Sequence, residues 1–306
     1  MSSMGRGWAV ATVLMVLAGA TAHAEQKPAK GRTMTEVLAA SQPSDWRRLD
    51  PDNTVYLDFA AGRVLIELAP AYAPAHVANI KTLLRQHYFD GLAILRVQDN
   101  YVVQWGDPES GNKDKAKSFG EAKQSVAAEF SQAIAKQPFV RLPDGDVYAP
   151  QVGWSGGFPV ARDPKAGQVW LTHCYGMVGA GRDNAAESGN GAELYVVLGH
   201  APRHLDRNVT LVGRVVQGME LLAALPRGSG ALGFYDKPEQ RIALTRARLG
   251  SELPAAERST LELLRTDTPT FQALIETRRN RRDEWYLYQA GKVELCNVQL
   301  PVRQPQ

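Results

Sequence analysis

Arg96 and Gln104 are the residues whose types and placement most directly suggest chemistry. Both fall in residues 91–108, GLAILRVQDNYVVQWGDP. Residues 92–97 are rich in β-branched and large apolar side chains and predict a strand. Gln98, Asp99 and Asn100 supply turn chemistry. Residues 101–105 predict a second strand, stopped by Gly106, Asp107 and Pro108. A charged side chain inside an apolar strand is rare unless it is paired, turned to solvent or aimed at a ligand. A guanidinium aimed at a ligand is a rigid, always charged hydrogen-bond donor. It offers stabilisation of developing charge, not covalent attack.

Other chemistries find little support. The six His residues show no metal-ligand spacing. His200 and His204 are separated by Pro202, which rules out one helical face. No Ser-His-Asp set can be argued from order, and Cys174 suits a structural role better than a nucleophilic one. There is no Walker loop, dinucleotide fingerprint, heptad or internal repeat. Neither a cofactor nor a metal is expected.

The elements that must position Arg96 and Gln104 come in a readable order. Residues 1–24 carry Arg6, a short apolar stretch and a small-x-small site at Ala22-His23-Ala24, the pattern of a secretory signal peptide. The mature chain is expected to be exported and periplasmic, with no stable membrane span after cleavage. Residues 25–50 predict a flexible leader with a short helix near 34–40. Residues 54–60 and 63–68 alternate and predict a first hairpin turned at Ala61 and Gly62. Pro74 suits the first turn of a helix whose apolar face is Val77, Ile80, Leu83 and Leu84. Residues 108–167 are the least readable. A short helix near 127–136, an insertion over about 130–167, and strands near 147–152 and 168–172 are expected. A loop of this length with internal apolar residues predicts a folded lid or flap. Residues 241–249 alternate as a last strand. Beyond residue 250, Thr268 and Pro269 predict a capped helix, and residues 285–288 and 292–298 predict a hairpin. The basic run Arg278, Arg279, Arg281 and Arg282 predicts a solvated helix end. The net charge of +3 gives no case for nucleic acid.

Cys174 and Cys296 are the only cysteines. In an exported chain an even count permits one disulfide. A bridge is the favoured reading and two separate buried thiols the other. A bridge would close a loop of over a hundred residues, for roughly 4–5 kcal/mol in the chain-entropy account.

The hairpin resembles the signature of cyclophilin-type peptidyl-prolyl isomerases: an aromatic-His-Arg-apolar strand, a short turn, an aromatic-apolar-x-Gln strand and Gly-Asp. Arg96, Tyr101, Val102, Gln104, Gly106 and Asp107 are in step with it. Ile94 and Leu95 replace the aromatic-His pair, and Trp105 replaces a Gly. Residues 176–197 resemble a second family segment, a Gly-x-apolar-Ser-Met-Ala strand followed by a Gly/Asn/Ser-rich loop and Ser-Gln-Phe-Phe-Ile. Here Gly179 stands for the Ser, Gly181 for an Ala, Glu193 for the Gln and Tyr195 for the pocket Phe. Residues 204–220 resemble the Leu-Asp run and Gly-Met helix of the family, with His204 at a common Trp position and Val209 at a common His position. The resemblance covers about 54–250, interrupted by the insertion.

The resemblance implies an all-β fold: an eight-stranded, closed antiparallel barrel with two covering α-helices, here with a C-terminal helix and hairpin. Together with the N-terminal and C-terminal readings, the expected organisation is a signal peptide at 1–24, a leader at 25–50, a barrel domain at 51–250 and a C-terminal extension at 251–306. The implied activity is X–Pro isomerisation in proline-containing polypeptides, assisting the folding of exported proteins. Arg96 and Gln104 would be catalytic. Tyr101, Val102, Tyr195 and Leu205 would form the proline pocket with His204 at its rim. Gly181 and Glu193 would line the neighbouring subsite. Glu193 also places a carboxylate near Arg96, where the two could pair and hold Arg96 off the substrate, and the two Tyr hydroxyls would make the pocket more polar. The alternative is a non-catalytic module binding proline-containing segments or a partner protein. The oligomeric state is not readable.

Overall fold

The computed structural model describes residues 31–134, 138–281 and 285–305. The signal peptide expected at 1–24 lies outside them. Eight strands form a closed antiparallel barrel: β1 Thr54–Phe59, β2 Gly62–Leu68, β3 Ala93–Val97, β4 Val102–Gly106, β5 Met177–Ala180, β6 Leu194–Val197, β7 Leu211–Gln217 and β8 Ile242–Leu249. Their order around the barrel is β5-β6-β4-β3-β8-β1-β2-β7, closing on β5. Closure leaves no free sheet edge.

Alternation divides these strands into an inner and an outer face. On β4, Val103 and Trp105 point inward, and on β6 so do Leu194 and Val196. Val102, Gln104, Tyr195 and Val197 consequently lie on the outer face, where Val102, Tyr195 and Val197 form an apolar cluster of their own. Helix α2, Pro74–Arg85, sets Val77, Ile80, Leu83 and Leu84 against the inner core. Helix α3, Met219–Ala223, adds Met219 and Leu222.

A second core forms outside the barrel. Residues 132–171 carry a five-stranded antiparallel sheet, in the spatial order 132–133, 168–171, 158–163, 151–155 and 140–142. Trp154, Val160 and Trp170 of that sheet pack with Phe271, Leu274 and Ile275 of helix α4, Pro269–Arg279, and with Val37 of helix α1, Met34–Ala39. The Trp154 and Phe271 rings meet edge to face at 5.0 Å. Met177, Leu211 and Tyr72 of the barrel side join the same core.

Several expectations are corrected here. In the leader, the short helix expected near 34–40 forms, with Thr33 and Glu36 as its capping box, but Trp46–Arg48 is an unexpected strand that pairs with Glu262–Leu264, which pairs with Val302–Arg303. No helix forms in 127–134. Gln132 and Ala133 pair with the inserted sheet instead, and Glu129 is held because its carboxylate accepts the Ala75 and His76 N–H groups at 3.0 and 2.9 Å, capping α2. The strand expected near 147–152 begins later, at Gln151. The C-terminal hairpin is absent among the described residues. Trp285, Leu287 and Tyr288 are exposed, so no buried face drives their pairing. Leu295–Asn297 is a single 3₁₀ turn capped by Glu294. Of the basic run, Arg279 is paired with Asp144 at 2.8 Å rather than solvated.

Cys174 and Cys296 are joined by a disulfide across a Cα separation of 4.9 Å, 122 residues apart in sequence. No helix among the described residues is long and apolar enough to cross a membrane.

Candidate active site

Strands β3 and β4 place Arg96 directly opposite Gln104, just past an irregularity in register between Ile94 and Arg96. Directly paired residues share a face of the sheet, so both point to the outer surface. Gln104 is in turn opposite Tyr195 of β6, and Tyr195 is opposite Gly179 of β5. One row of cross-strand pairs thus carries Arg96, Gln104 and Tyr195 onto one patch.

The guanidinium of Arg96 is held on three sides. Its Nε–H donates to the Leu232 carbonyl at 2.6 Å and one Nη1–H to Gln104 Oε1 at 3.0 Å. One Nη2–H donates to Gln98 Oε1. A guanidinium has five N–H donors, so a second N–H on each Nη is left for a ligand. The rings of Tyr101 and Phe234 lie 5.4 and 5.3 Å from its central carbon, a cation–π setting. Burial pushes its pKa down, opposed by Tyr101 and Glu193.

A cavity of about 640 Å³ opens beside this group. Arg96, Tyr101, Val102, Gln104, Tyr195 and Leu205 line it together with Val209, and Gly181, Arg182, Asp183 and Asn184 form its far side. Glu193 stands behind Gln104 and not against Arg96. Gln104 Nε2–H donates to Glu193 Oε1, and no ion pair joins Glu193 to Arg96 among the described residues. Burial raises the Glu193 pKa, with the Gln104 hydrogen bond and then Arg96 opposing. The feared capture of Arg96 does not occur because Gln104 occupies the space between.

The Tyr195 hydroxyl also departs from expectation. It is hydrogen-bonded to His173 Nε2 at 2.9 Å instead of adding free polarity to the pocket. Burial raises the phenol pKa far above its usual value, so it stays protonated. Gly179 makes room for it, since a Cβ there would collide with the Tyr195 hydroxyl and ring end. His204 is exposed and lies outside the cavity lining.

The family model described as cyclophilin type peptidyl-prolyl cis-trans isomerase/CLD matches residues 54–249. The chain belongs to the cyclophilin family. It is a cyclophilin-type peptidyl-prolyl cis-trans isomerase. A probable peptidyl-prolyl cis-trans isomerase of Brucella suis is 31% identical over 203 residues, covering 64% of this chain and 83% of that protein. The human peptidyl-prolyl cis-trans isomerase-like 1 is 25% identical over 211 residues, 69% of this chain and 98% of its own. The crystal structure of cyclophilin AquaCyp293 from Hirschia baltica matches 90% of this chain and 99% of its own length, with a TM-score of 0.67 and 25% identity. That coverage reaches past the barrel, so much of the second core of this cyclophilin has a counterpart there.

Sequence reasoning missed several residues around Arg96 and this cavity. Leu232 and Phe234 hold Arg96 from a Gly-rich segment with no periodicity. Arg182, Asp183 and Asn184 belong to a loop whose composition alone gave no direction. Gln98 was read only as turn chemistry.

Proposed function

We propose that this isomerase rotates X–Pro bonds with Arg96 as the donor to the prolyl nitrogen, and that its clients are exported polypeptides. The barrier is the partial double bond of the amide, about 18–20 kcal/mol. At the twisted transition state resonance is lost and electron density returns to the prolyl nitrogen. A fixed donor there stabilises the twisted form more than either planar form, which is the requirement for catalysis. The observation that carries this is the posture of Arg96, fixed by Gln104, Gln98 and the Leu232 carbonyl at the edge of the cavity.

Val102, Tyr195 and Leu205 supply an apolar seat for the proline ring, so that the preceding carbonyl is the part that turns. Tyr101 closes the side nearest Arg96. Gln104 orients the guanidinium through its Oε1, while its amide is held by Glu193. Gly181 leaves space beside Glu193 for the residue preceding the proline. No bond to a protein atom forms or breaks in this scheme.

Export is supported by the N-terminal pattern of residues 1–24 and by the Cys174–Cys296 disulfide, which belongs in an oxidising compartment. The test is isomerisation of a panel of proline tetrapeptides by residues 25–306, with Edman sequencing of the secreted protein. Acceleration and an N-terminus at Glu25 are expected. No acceleration on any peptide by folded protein would overturn the activity assignment, and a retained, unprocessed N-terminus would overturn export.

A further inference from the structure

A chain of buried polar groups runs from the pocket wall to the second core. The Tyr195 O–H donates to His173 Nε2 at 2.9 Å, and His173 Nδ1–H donates to Asp206 Oδ1 at 2.9 Å. Asp206 also accepts the His173 backbone N–H at 2.9 Å and Arg203 Nε–H at 2.6 Å. Arg203 then forks onto Asp146, Nη1–H to Oδ2 at 2.9 Å and Nη2–H to Oδ1 at 3.1 Å. The side chains of His173, Asp206, Arg203 and Asp146 are 0, 6, 3 and 4% exposed.

The chemistry fixes the direction of the chain. An ionised carboxylate accepts only, so His173 carries its proton on Nδ1 and leaves Nε2 to accept from Tyr195. Burial lowers the His173 pKa, against the opposing Asp206, and keeps the imidazole neutral. Each polar group in the chain is therefore matched, as a buried network must be to specify one geometry.

The placement gives the network a task. Tyr195 is one wall of the cavity, and Leu205 is another. Leu205 ends a 3₁₀ turn, Arg203–Leu205, so the paired residues Arg203 and Asp206 bracket it. Asp146 comes from the inserted segment, and Glu294 of the C-terminal segment lies 3.7 Å from Arg203 Nη1. His173 adjoins Cys174, bonded to Cys296.

We propose that His173 is a positioning residue: it locks Tyr195 and, through Asp206 and Arg203, ties both the Tyr195 and Leu205 walls of the pocket to Asp146 of the insertion, so that the second core sets the pocket's shape. This rests on the reading of the cavity as the proline seat.

The test measures the dissociation constant of the tetrapeptide Ala-Ala-Pro-Phe by NMR titration, and kcat and KM on the same peptide. The proteins are the full mature chain and its His173→Gln, Tyr195→Phe, double and Asp146→Asn variants. His173→Gln and Asp146→Asn should weaken peptide binding about threefold to tenfold, the worth of one hydrogen bond, with kcat within about twofold. The His173→Gln effect should largely vanish in the Tyr195→Phe background, because it acts through that hydroxyl. Peptide affinity equal to wild type in folded Asp146→Asn and Tyr195→Phe would overturn the proposal, as would full additivity in the double variant. If His173→Gln does not fold, the Asp146→Asn and Tyr195→Phe titrations decide. A wild type that binds the peptide without turning it over would refute the activity and leave this test standing. A wild type that does not bind it would overturn the pocket reading and this proposal together.

Discussion

At the scale of the residue, the site depends on what stands between charges. Gln104 spaces Arg96 from Glu193 and hydrogen-bonds both. Glu193 is half-buried with a raised pKa, chiefly from desolvation. A group whose folded pKa lies above its unfolded value favours folding below the unfolded pKa and loses that contribution as pH rises through the folded value. Glu193 thus costs stability at neutral pH. Glu193→Gln should raise stability by about 1 kcal/mol at pH 7, with the gain shrinking as pH falls through the raised Glu193 pKa and vanishing below the ordinary carboxylate range; urea titrations at several pH values measure it. A gain that persists unchanged at pH 3 would contradict the assignment. Gly179 is decisive for a different reason. Gly179→Ala should displace the Tyr195 ring end that occupies its space, destabilising the fold by about 1–3 kcal/mol, the usual overpacking range. Thermal unfolding that shows no loss would mean that the ring can move freely.

At the scale of the element, legibility followed periodicity. The β3–β4 hairpin was readable because apolar alternation, Asn100 in the turn and Gly106 at the end all agree; Asn100 adopts a left-handed φ of 50°. Helix α2 was readable from its Pro74 start and its i, i+3 apolar face. The pocket's Arg96 and Gln104 came from the same hairpin, and the resemblance supplied Tyr195 and Leu205. What was not legible came from long-range pairing. Residues 127–134 have helix-like composition, yet Glu129 is drawn to the start of α2 and Gln132 into the inserted sheet; such contacts override weak local propensity. The alternation of Val293, Glu294 and Leu295 suggested a strand, whereas the Val293 N–H is taken by Asp144 at 3.0 Å and Cys296 is tied to Cys174. Nothing local in residues 228–236 announces that Leu232 and Phe234 embrace Arg96.

At the scale of the whole molecule, the leader, the insertion and the C-terminal segment form one core beside the barrel. The Cys174–Cys296 bond pins that core to the residue preceding Tyr175, close to the start of β5. Cys174→Ser with Cys296→Ser should lower stability by about 4–5 kcal/mol in the chain-entropy account, since the closed loop is long. Chemical denaturation of the oxidised wild type beside the double variant measures this. An unchanged midpoint would show that packing at Trp154, Phe271 and Leu295 alone holds the second core in place.

The central claim is that Arg96 acts on the transition state rather than on substrate binding. The most direct measurement compares kcat/KM and peptide dissociation constant for wild type and Arg96→Ala on one proline tetrapeptide. Loss of a preorganised donor should lower kcat/KM about 10²–10³-fold while the dissociation constant changes by less than about threefold. A variant that isomerises the peptide as fast as wild type, or one whose lost activity is matched by lost binding, would contradict the account.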